Sequence, residues 1–224
     1  AAGIVADGTL TTAPGGTFLA SRLACTSCHD PHGNTNFRIL YGSDLGPKYD
    51  GTRFNFTADA PVALGNSRRT IADTSGANGE ETDEKHTVYK SGMSAWCANC
   101  HTNFHSPNTT NFVHPTGQAL GGTDAGNYNA YVSSDDLTGG DVATAYMGLV
   151  PFEDVDVVLG TVDTKNYNTG PAANDRVMCL TCHRSHASPF QDIGRWDFSE
   201  TFLADAHPQT GDTGASVDDV NNKW

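Results

Sequence analysis

Every cysteine in this chain belongs to a Cys-x-x-Cys-His motif, and the motif occurs three times, at residues 25–29, 97–101 and 179–183. Two thiols at this spacing can add across the two vinyl groups of one porphyrin, and the adjacent histidine can bind the iron as its fifth ligand. The motifs therefore predict three covalently attached c-type haems. The predicted cofactor-binding residues are Cys25, Cys28, His29, Cys97, Cys100, His101, Cys179, Cys182 and His183.

Other uses of paired cysteines fit this pattern less well. A zinc site needs two such pairs, or one pair and a separate histidine pair, and gives no reason for a histidine after every second cysteine. A thioredoxin-like redox pair requires a βαβ context and would not occur three times. A disulfide across so short a loop would stabilise little. Haem attachment is the most specific interpretation of the three motifs.

The charge balance limits the possible partners. The formal net charge is −13, with 26 acidic and 13 basic residues, and haem propionates would make it more negative. Nucleic acid and anionic lipid are therefore not expected as partners, whereas a cationic or metal-oxide surface fits. The longest apolar stretch, residues 146–152, is far shorter than the roughly 18 residues that a membrane span needs. No membrane span is predicted.

The start of the sequence and the cofactor chemistry both indicate export. Covalent haem attachment takes place outside the cytoplasm, and the sequence starts with Ala-Ala-Gly, as it would after a signal peptidase that cuts behind small residues. No apolar signal-peptide core remains in the sequence. We therefore expect a mature protein that is exported through the periplasm and works outside the cell or at its surface.

The sequence between the motifs has the composition of turns and loops. Glycine, asparagine, threonine, aspartate and serine dominate at residues 10–16, 73–79 and 121–127, and 37% of all residues are hydrophobic. Three porphyrins would add large apolar faces around which irregular backbone can wrap. We expect a single trihaem domain over residues 1–224, mostly coil, with a few short helices at the haem motifs and one near residues 141–146. Disorder is the alternative, but Trp, Tyr and Phe are scattered throughout.

Each proximal histidine is followed, after three or four residues, by a second histidine, at His32, His105 and His186. Such offsets would place both side chains on one face of a short helix. Because the proximal histidine holds its iron from one side, the second histidine would reach a different haem as a distal ligand. The alternative is that these side chains contact propionates or the backbone. Three further histidines lie outside the pairs, namely His86, His114 and His207.

The histidine count favours iron with two histidine ligands. Three such irons need six histidines, and the chain has nine. Methionine ligation is the alternative, but Met178 directly precedes Cys179, and Met93 lies four residues before Cys97. Only Met147 would then be placed to reach a distal position. We therefore predict low-potential bis-histidine haems with both axial positions closed.

Longer stretches around the motifs resemble the OmcS-like extracellular nanowire cytochromes. The stretches that carry the resemblance are residues 10–17, 28–33, 92–102, 114–115, 136–139, 143–146 and 179–188. The similarity runs in order from about residue 5 to about residue 195 and corresponds to the central part of those proteins. It implies a multihaem cytochrome c that is largely coil and forms filaments, with a continuous stack of bis-histidine haems along the axis.

The resemblance also implies candidates for the distal ligands. Four histidines have counterparts in the family, namely His32, His105, His114 and His186, and they are the candidates for three distal positions. His86 and His207 have no counterpart. A family histidine just after the first attachment motif crosses to a haem of the neighbouring subunit, and His32 is its counterpart by position. The family relative carries six haems, and this chain keeps equivalents of the third, fourth and fifth, so the filament register need not be the same.

These observations predict an extracellular trihaem c-type cytochrome that polymerises and conducts electrons, and no enzyme. The expected partners are further copies of the chain, redox-partner cytochromes and extracellular acceptors such as metal oxides. A monomeric periplasmic electron shuttle is the first alternative, although 224 residues for three haems is more polypeptide than a shuttle usually contains. A multihaem reductase is the second alternative, but it needs an iron with an open distal side, often marked by an altered motif, and all three motifs here are regular.

Overall fold

The computed structural model describes residues 9–65, 87–104, 114–131, 137–143, 145, 150–161, 169–186, 188 and 190–200. The chain divides into two compact units. The first unit comprises residues 1–62 and 91–116 and contains the first two attachment motifs. The second unit comprises residues 63–90 and 117–224 and contains the third motif. The single domain over residues 1–224 stays a prediction.

Regular elements are short in the described part of the chain. The helices are α1 (Cys25–Cys28), α2 (Met93–Cys97), α3 (Gly121–Ala130) and α4 (Cys179–Cys182). Single 3-10 turns lie at Ala20–Arg22 and Thr102–Phe104, and turns that contain residues of positive φ lie at Phe37–Ile39 and Gln191–Ile193. Two small sheets pair β1 (Lys48–Tyr49) with β2 (Thr52–Arg53), and β3 (Val62–Leu64) with β4 (Val88–Ser91). The predicted fold, mostly coil with short helices at the haem motifs, is confirmed.

Within the described ranges, no helix combines the length and the apolar character that crossing a membrane requires.

The longest helix, α3, lies where the glycine-rich composition of residues 121–127 predicts a loop, and that prediction is wrong. Hydrogen bonds to a distant segment of the second unit hold both ends of the helix. The N–H of Gly121 donates to the carbonyl of Ala173 over 2.9 Å, and the side-chain amide of Asn129 donates to the carbonyl of Pro171 over 3.0 Å. These tertiary contacts offset the low helix propensity of glycine.

The helix predicted near residues 141–146 is wrong over residues 141–143, which form a turn. The side chain of Asp141 accepts a hydrogen bond of 2.8 Å from the N–H of Ala143. Aspartate competes with helix formation in this way, because its carboxylate satisfies the backbone N–H two residues later. Residues 144 and 146 lie outside the described residues.

The β1–β2 hairpin lies beside the first attachment motif. Asp50 and Gly51 connect its strands, with φ of 50° and 80°. An Asp-Gly pair is favoured in such two-residue turns, because both positions need positive φ. Strand β1 ends at Tyr49, whose hydroxyl oxygen lies 2.6 Å from Oγ of Ser27 inside the first motif.

Aromatic rings form the core of the first unit, with the buried Phe56 at the centre. Its ring centroid lies 6.0 Å from that of Tyr41, 6.1 Å from that of Phe54 and 5.8 Å from that of Trp96, all edge to face. Each such pair contributes about 0.5–1.5 kcal/mol beyond the area that it buries. Because Trp96 directly precedes Cys97, this cluster anchors the second motif.

In the second unit, backbone pairing leads directly into the third motif. Glu153 and Arg176 exchange two N–H···O=C hydrogen bonds of 3.0 Å, and the N–H of Asp154 donates to the carbonyl of Tyr89 over 2.8 Å. Two residues after Arg176, the side chain of Met178 is completely buried. This pairing and burial fix the backbone at the start of α4.

Candidate haem-binding sites

The first attachment motif is one helical turn fixed by a buried hydroxyl. The N–H of His29 donates to the carbonyl of Cys25 over 3.0 Å. Oγ of Ser27 accepts from the N–H of Ala24 over 2.9 Å and donates to the carbonyl of Arg22 over 2.8 Å. Because Ser27 is buried, these hydrogen bonds are shielded from water. Residues three apart on such a turn share a face, so the two thiols lie on one side.

The third motif is built in the same way. The N–H of His183 donates to the carbonyl of Cys179 over 2.9 Å. Oγ1 of the buried Thr181 accepts from the N–H of Met178 over 3.0 Å and donates to the carbonyl of Pro151 over 2.6 Å. In the first and third motifs alike, the hydroxyl of the third residue therefore holds the helical turn by hydrogen bonds with two backbone groups.

The second motif differs because α2 ends at its first cysteine. The carbonyl of Cys97 accepts hydrogen bonds of 3.1 Å from the N–H groups of both Cys100 and His101. The motif is tied to the rest of the first unit by Asn99, whose Oδ1 accepts a hydrogen bond of 2.7 Å from the N–H of Thr57. Side-chain contacts of the motif itself thus replace the buried hydroxyl of the other two sites.

At each motif, Nδ1 of the proximal histidine lies within hydrogen-bond distance of a backbone carbonyl. The pairs are His29 with Arg38 (2.8 Å), His101 with Pro14 (2.8 Å) and His183 with Asp192 (2.9 Å). A carbonyl oxygen can only accept, so Nδ1 carries the proton and Nε2 is the atom that can bind a metal. Carbonyl partners of this kind commonly orient metal-binding histidines. The geometry fits the predicted proximal role of all three residues.

The six cysteines all lie in the described part of the chain, and none of them forms a disulfide. Burial, and to a lesser extent the neighbouring Cys28, raises the pKa of the Cys100 thiol to about 12. Burial is also the main cause of the raised pKa values of Cys28 and Cys182. Thiols that resist ionisation are poor zinc ligands and poor redox nucleophiles. Over the described ranges, moreover, no three His, Cys, Asp or Glu side chains are grouped to hold a metal ion.

Exposed apolar side chains lie beside the first and third motifs. Leu23 precedes the first motif, and Ile39 and Ile193 follow the first and third proximal histidines at the same distance. The exposed ring of Phe198 lies with its centroid 5.3 Å from that of His183. A porphyrin would remove such surface from water, which stabilises by roughly 25 cal/mol per Å². Thiol pairs, oriented imidazoles and these apolar groups together fit a covalently attached haem.

The predicted distal histidines have different surroundings. The side chain of His32 is 93% exposed, and His186 is exposed too. His114 is half-buried, and its ring centroid lies 5.0 Å from that of Phe104, which in turn stacks on His101 at 6.0 Å. Three histidines fall outside the described residues, namely His86, His105 and His207. The assignment of distal ligands therefore stays a prediction.

The expected helical geometry of two histidine pairs is wrong. Helix α1 ends at Cys28, and the backbone of His29 is already extended, with φ −103° and ψ 133°. The backbone of His183 is likewise extended, with φ −116° and ψ 160°. Each chain segment leaves its helix because the histidine forms an antiparallel bridge with a residue eleven positions later. His32 and His186 are therefore reached through a turn and do not share a helical face with their proximal neighbours.

Comparison with known proteins shows a clear relationship over most of the chain. It is 38% identical to the C-type cytochrome OmcS of Geobacter sulfurreducens over an alignment 246 residues long, which covers 90% of this chain and 55% of OmcS. The chain is OmcS-like. Two solved structures, the outer membrane cytochrome S filament and the OmcS nanowires of the same organism, each match with a TM-score of 0.70 and 37% identity. These matches cover 88% of this chain and 56% of each OmcS chain. No protein-family model matches the chain.

The likeness to OmcS confirms both the predicted resemblance and the predicted fold class. The chain spans about half the length of OmcS. The sequence analysis missed the three carbonyl partners of the proximal histidines, which belong to Arg38, Pro14 and Asp192. Every residue has a backbone carbonyl, so no side-chain type marks these positions in the sequence.

Proposed function

We propose that this chain is an extracellular trihaem c-type cytochrome that polymerises into a filament and conducts electrons along a chain of bis-histidine haems. The observation that supports this most strongly is the Nδ1–carbonyl pairing of the proximal histidine at all three attachment motifs. The fold adds support, because the OmcS structures that it matches are a filament and nanowires. The proposal includes no catalysed reaction on a substrate.

The chain's own part is to hold and shield the redox centres. Covalent haem would supply the one-electron chemistry of its iron. The buried hydroxyls of Ser27 and Thr181 fix the turns that carry the thiols. Within the first unit, Cys28 lies close enough to Cys100 to raise the pKa of that thiol. This closeness supports neighbouring haems at the first two motifs.

The proposed distal ligands are three of the four family-shared histidines, His32, His105, His114 and His186. The contact of Phe104 with both His101 and His114 supports a role for His114 near the second motif. The exposure of the His32 side chain supports its use between subunits, because a side chain that is 93% exposed can reach a second copy. The iron–nitrogen bond would then hold the filament together.

The proposed partners are further copies of this chain, redox-partner cytochromes and extracellular electron acceptors such as metal oxides. The protein would reach the outside of the cell or its surface through the periplasm. A net charge of −13 favours cationic and oxide surfaces and opposes binding to nucleic acid.

The test is to produce the chain in a host that attaches c-type haem and to study the purified protein. We expect filaments by negative-stain electron microscopy, the mass of three haems by mass spectrometry and only low-spin iron by EPR. A monomer with three bis-histidine haems would overturn the filament and favour a soluble shuttle. A persistent high-spin iron at neutral pH would favour a multihaem reductase instead.

The interface is tested with His32→Ala and, as a matched control, His207→Ala, a histidine without a family counterpart. We expect His32→Ala to lose the filaments and to gain one high-spin haem, while the mass still shows three haems, because attachment depends on the thioethers and the proximal histidine. The control variant should keep both the filaments and the spectrum. Filaments and an unchanged spectrum in His32→Ala would contradict the proposed interface.

A further inference from the structure

The first and third attachment sites are two copies of one structure. Cys25 corresponds to Cys179, 154 positions later, and the same displacement relates His32 to His186. The backbone hydrogen bonds match as well. At the first site, the N–H of Asp30 donates to the carbonyl of Ile39 (2.8 Å) and the N–H of Tyr41 donates to the carbonyl of Cys28 (3.0 Å). At the third site, the N–H of Arg184 donates to the carbonyl of Ile193 (2.7 Å) and the N–H of Arg195 donates to the carbonyl of Cys182 (2.8 Å).

At the centre of each copy lies a two-residue turn in the left-handed region. Arg38 and Ile39 have φ of 49° and 53°, and Asp192 and Ile193 have φ of 54° and 56°. The second residue of each turn is isoleucine, and a β-branched residue strongly disfavours positive φ. The same rare conformation at equivalent positions shows that the surroundings impose it. Strain of this kind marks places where the backbone has a specific task.

The task of the turn is visible in the contact that it makes. The carbonyl of its first residue is the acceptor that faces Nδ1 of the proximal histidine, nine positions earlier in both copies. At the second site, the carbonyl that faces Nδ1 of His101 belongs to Pro14, 87 positions earlier in the chain. A nearby turn therefore supplies the carbonyl partner of His29 and of His183, whereas a distant segment supplies that of His101.

We propose that the left-handed turns at Arg38–Ile39 and Asp192–Ile193 are positioning devices that set the ring plane and the ligand strength of His29 and His183. The inference rests on the proposed function, because it requires a haem iron at each imidazole. A hydrogen bond from Nδ1–H to a carbonyl makes the imidazole a stronger donor, and a stronger donor favours ferric iron. The turns thus lower the potentials of the first and third haems through the same local structure, whereas the carbonyl of Pro14 faces the histidine of the second motif.

The test compares proline with glycine at the first residue of each turn. Proline fixes φ near −65° and cannot adopt the turn, whereas glycine adopts positive φ without strain. Arg38→Pro and Arg38→Gly lose the same side chain, so they differ in the backbone alone: in the allowed φ and in the N–H that proline lacks. Asp192→Pro and Asp192→Gly form the second matched pair. The measurements are spectroelectrochemical midpoint potentials, the EPR signal of each low-spin haem, which reports the orientation of its axial imidazoles, and haem count by mass.

In each proline variant, we expect one of three midpoint potentials to rise and one EPR signal to shift, with three haems still attached. The glycine variants should match the unmodified protein. Equal potentials and equal EPR signals in the proline and glycine variants would overturn the proposal. If one proline variant fails to accumulate or loses a haem, the proline variant of the other turn decides, because the two turns lie in different units of the chain. A potential equal to that of the glycine variant would again overturn it.

The failure of this inference is separable from that of the proposed function. A monomeric protein, or one with an iron that lacks its second histidine, would refute the proposed function and leave the proline–glycine comparison readable. A filament with three bis-histidine haems and no difference between the paired variants would refute the positioning role alone.

Discussion

The indole N–H of Trp96 donates a hydrogen bond of 2.7 Å to the carbonyl of Tyr41. The N–H of Tyr41 in turn donates to the carbonyl of Cys28 over 3.0 Å, and Trp96 directly precedes Cys97. A single residue therefore connects the first two attachment motifs through its backbone. This connection restricts any change in the distance between the two sites within the first unit.

The variant Trp96→Phe removes the indole donor and keeps an aromatic ring in the core. We expect the free energy of unfolding to fall by about 1–3 kcal/mol, because the carbonyl of Tyr41 is left without its donor and the smaller ring leaves a void. Denaturant unfolding followed by absorption in the Soret region measures the effect. Trp196→Phe, in the second unit, is the matched control. A loss no larger than that of the control would contradict the role of the connection.

Gly16 lies where no side chain fits. A Cβ atom at this position would lie 1.7 Å from the carbonyl oxygen of Cys100. We expect Gly16→Ala to shift the segment that carries Pro14, to weaken its hydrogen bond with His101 and to lower the free energy of unfolding by about 1–3 kcal/mol. The potential of one haem should change together with the stability. Thermal unfolding and spectroelectrochemistry measure the two effects.

The control for this variant is Gly122→Ala in helix α3, where a Cβ atom would meet nothing within 4 Å. Alanine there should raise the free energy of unfolding by about 0.5–1 kcal/mol, because glycine loses more backbone entropy in a helix. Equal stabilities of the two variants would show that the close approach to Cys100 has no energetic effect.

The carboxyl of Asp175 should make stability depend on pH. Burial is the main reason that its pKa is raised to about 6 from 3.8. The hydrogen bond from the N–H of Ala172 lowers the pKa, and the carboxylates of Asp154 and Asp156 raise it. The folded state thus binds more protons than the unfolded state between these two values. The contribution of Asp175 to stability is therefore full below about pH 4 and is lost as the pH rises through about 6.

Asp175→Asn removes this titration and keeps an acceptor for Ala172. At pH 7 we expect the variant to be more stable than the unmodified protein by about 1–3 kcal/mol, and the difference should shrink toward pH 4. Denaturant unfolding at both pH values measures it. Asp50→Asn, at a side chain that is 92% exposed, serves as the control. The same difference at both pH values would exclude Asp175 as the source.

His114→Ala should remove the distal ligand of one haem iron, while that haem stays attached to the chain. The thioethers and the proximal histidine keep the haem attached, while the loss of a distal histidine leaves a five-coordinate or water-bound centre with a raised potential. Mass spectrometry and EPR measure the two properties, and His86→Ala, a histidine without a family counterpart, is the control. An unchanged EPR spectrum would remove His114 from the distal candidates, and the same experiment applies to His186→Ala.

Much of the fold follows from the sequence, because the attachment motifs impose short helices and the intervening glycine and polar residues favour coil. Helix α3 was not predictable in this way. Its residues have poor helix propensity, and it forms because Asn129 and Gly121 bond to a segment more than forty positions away. Composition is a local property and carries no information about such contacts.

The candidate sites were predictable in their side chains and not in their backbone. The thiols and proximal histidines are evident from spacing. Two of the three carbonyl partners depend on left-handed turns that isoleucine does not favour, and the third belongs to Pro14, 87 positions before its histidine. One signal was present in the sequence. A histidine three positions after the proximal histidine and an isoleucine ten positions after it occur at both His29 and His183, and comparing the two segments would have indicated their shared structure.

The position of Pro14 has a consequence for the order in which the protein matures. For a chain that is threaded across a membrane amino terminus first, the carbonyl that holds His101 is already outside when that histidine emerges, because it lies 87 positions earlier. The carbonyls that hold His29 and His183 emerge nine positions after their histidines. The hydrogen bond between His101 and Pro14 can therefore form as soon as His101 has crossed the membrane. The corresponding hydrogen bonds of His29 and His183 can form only after the next nine residues have crossed.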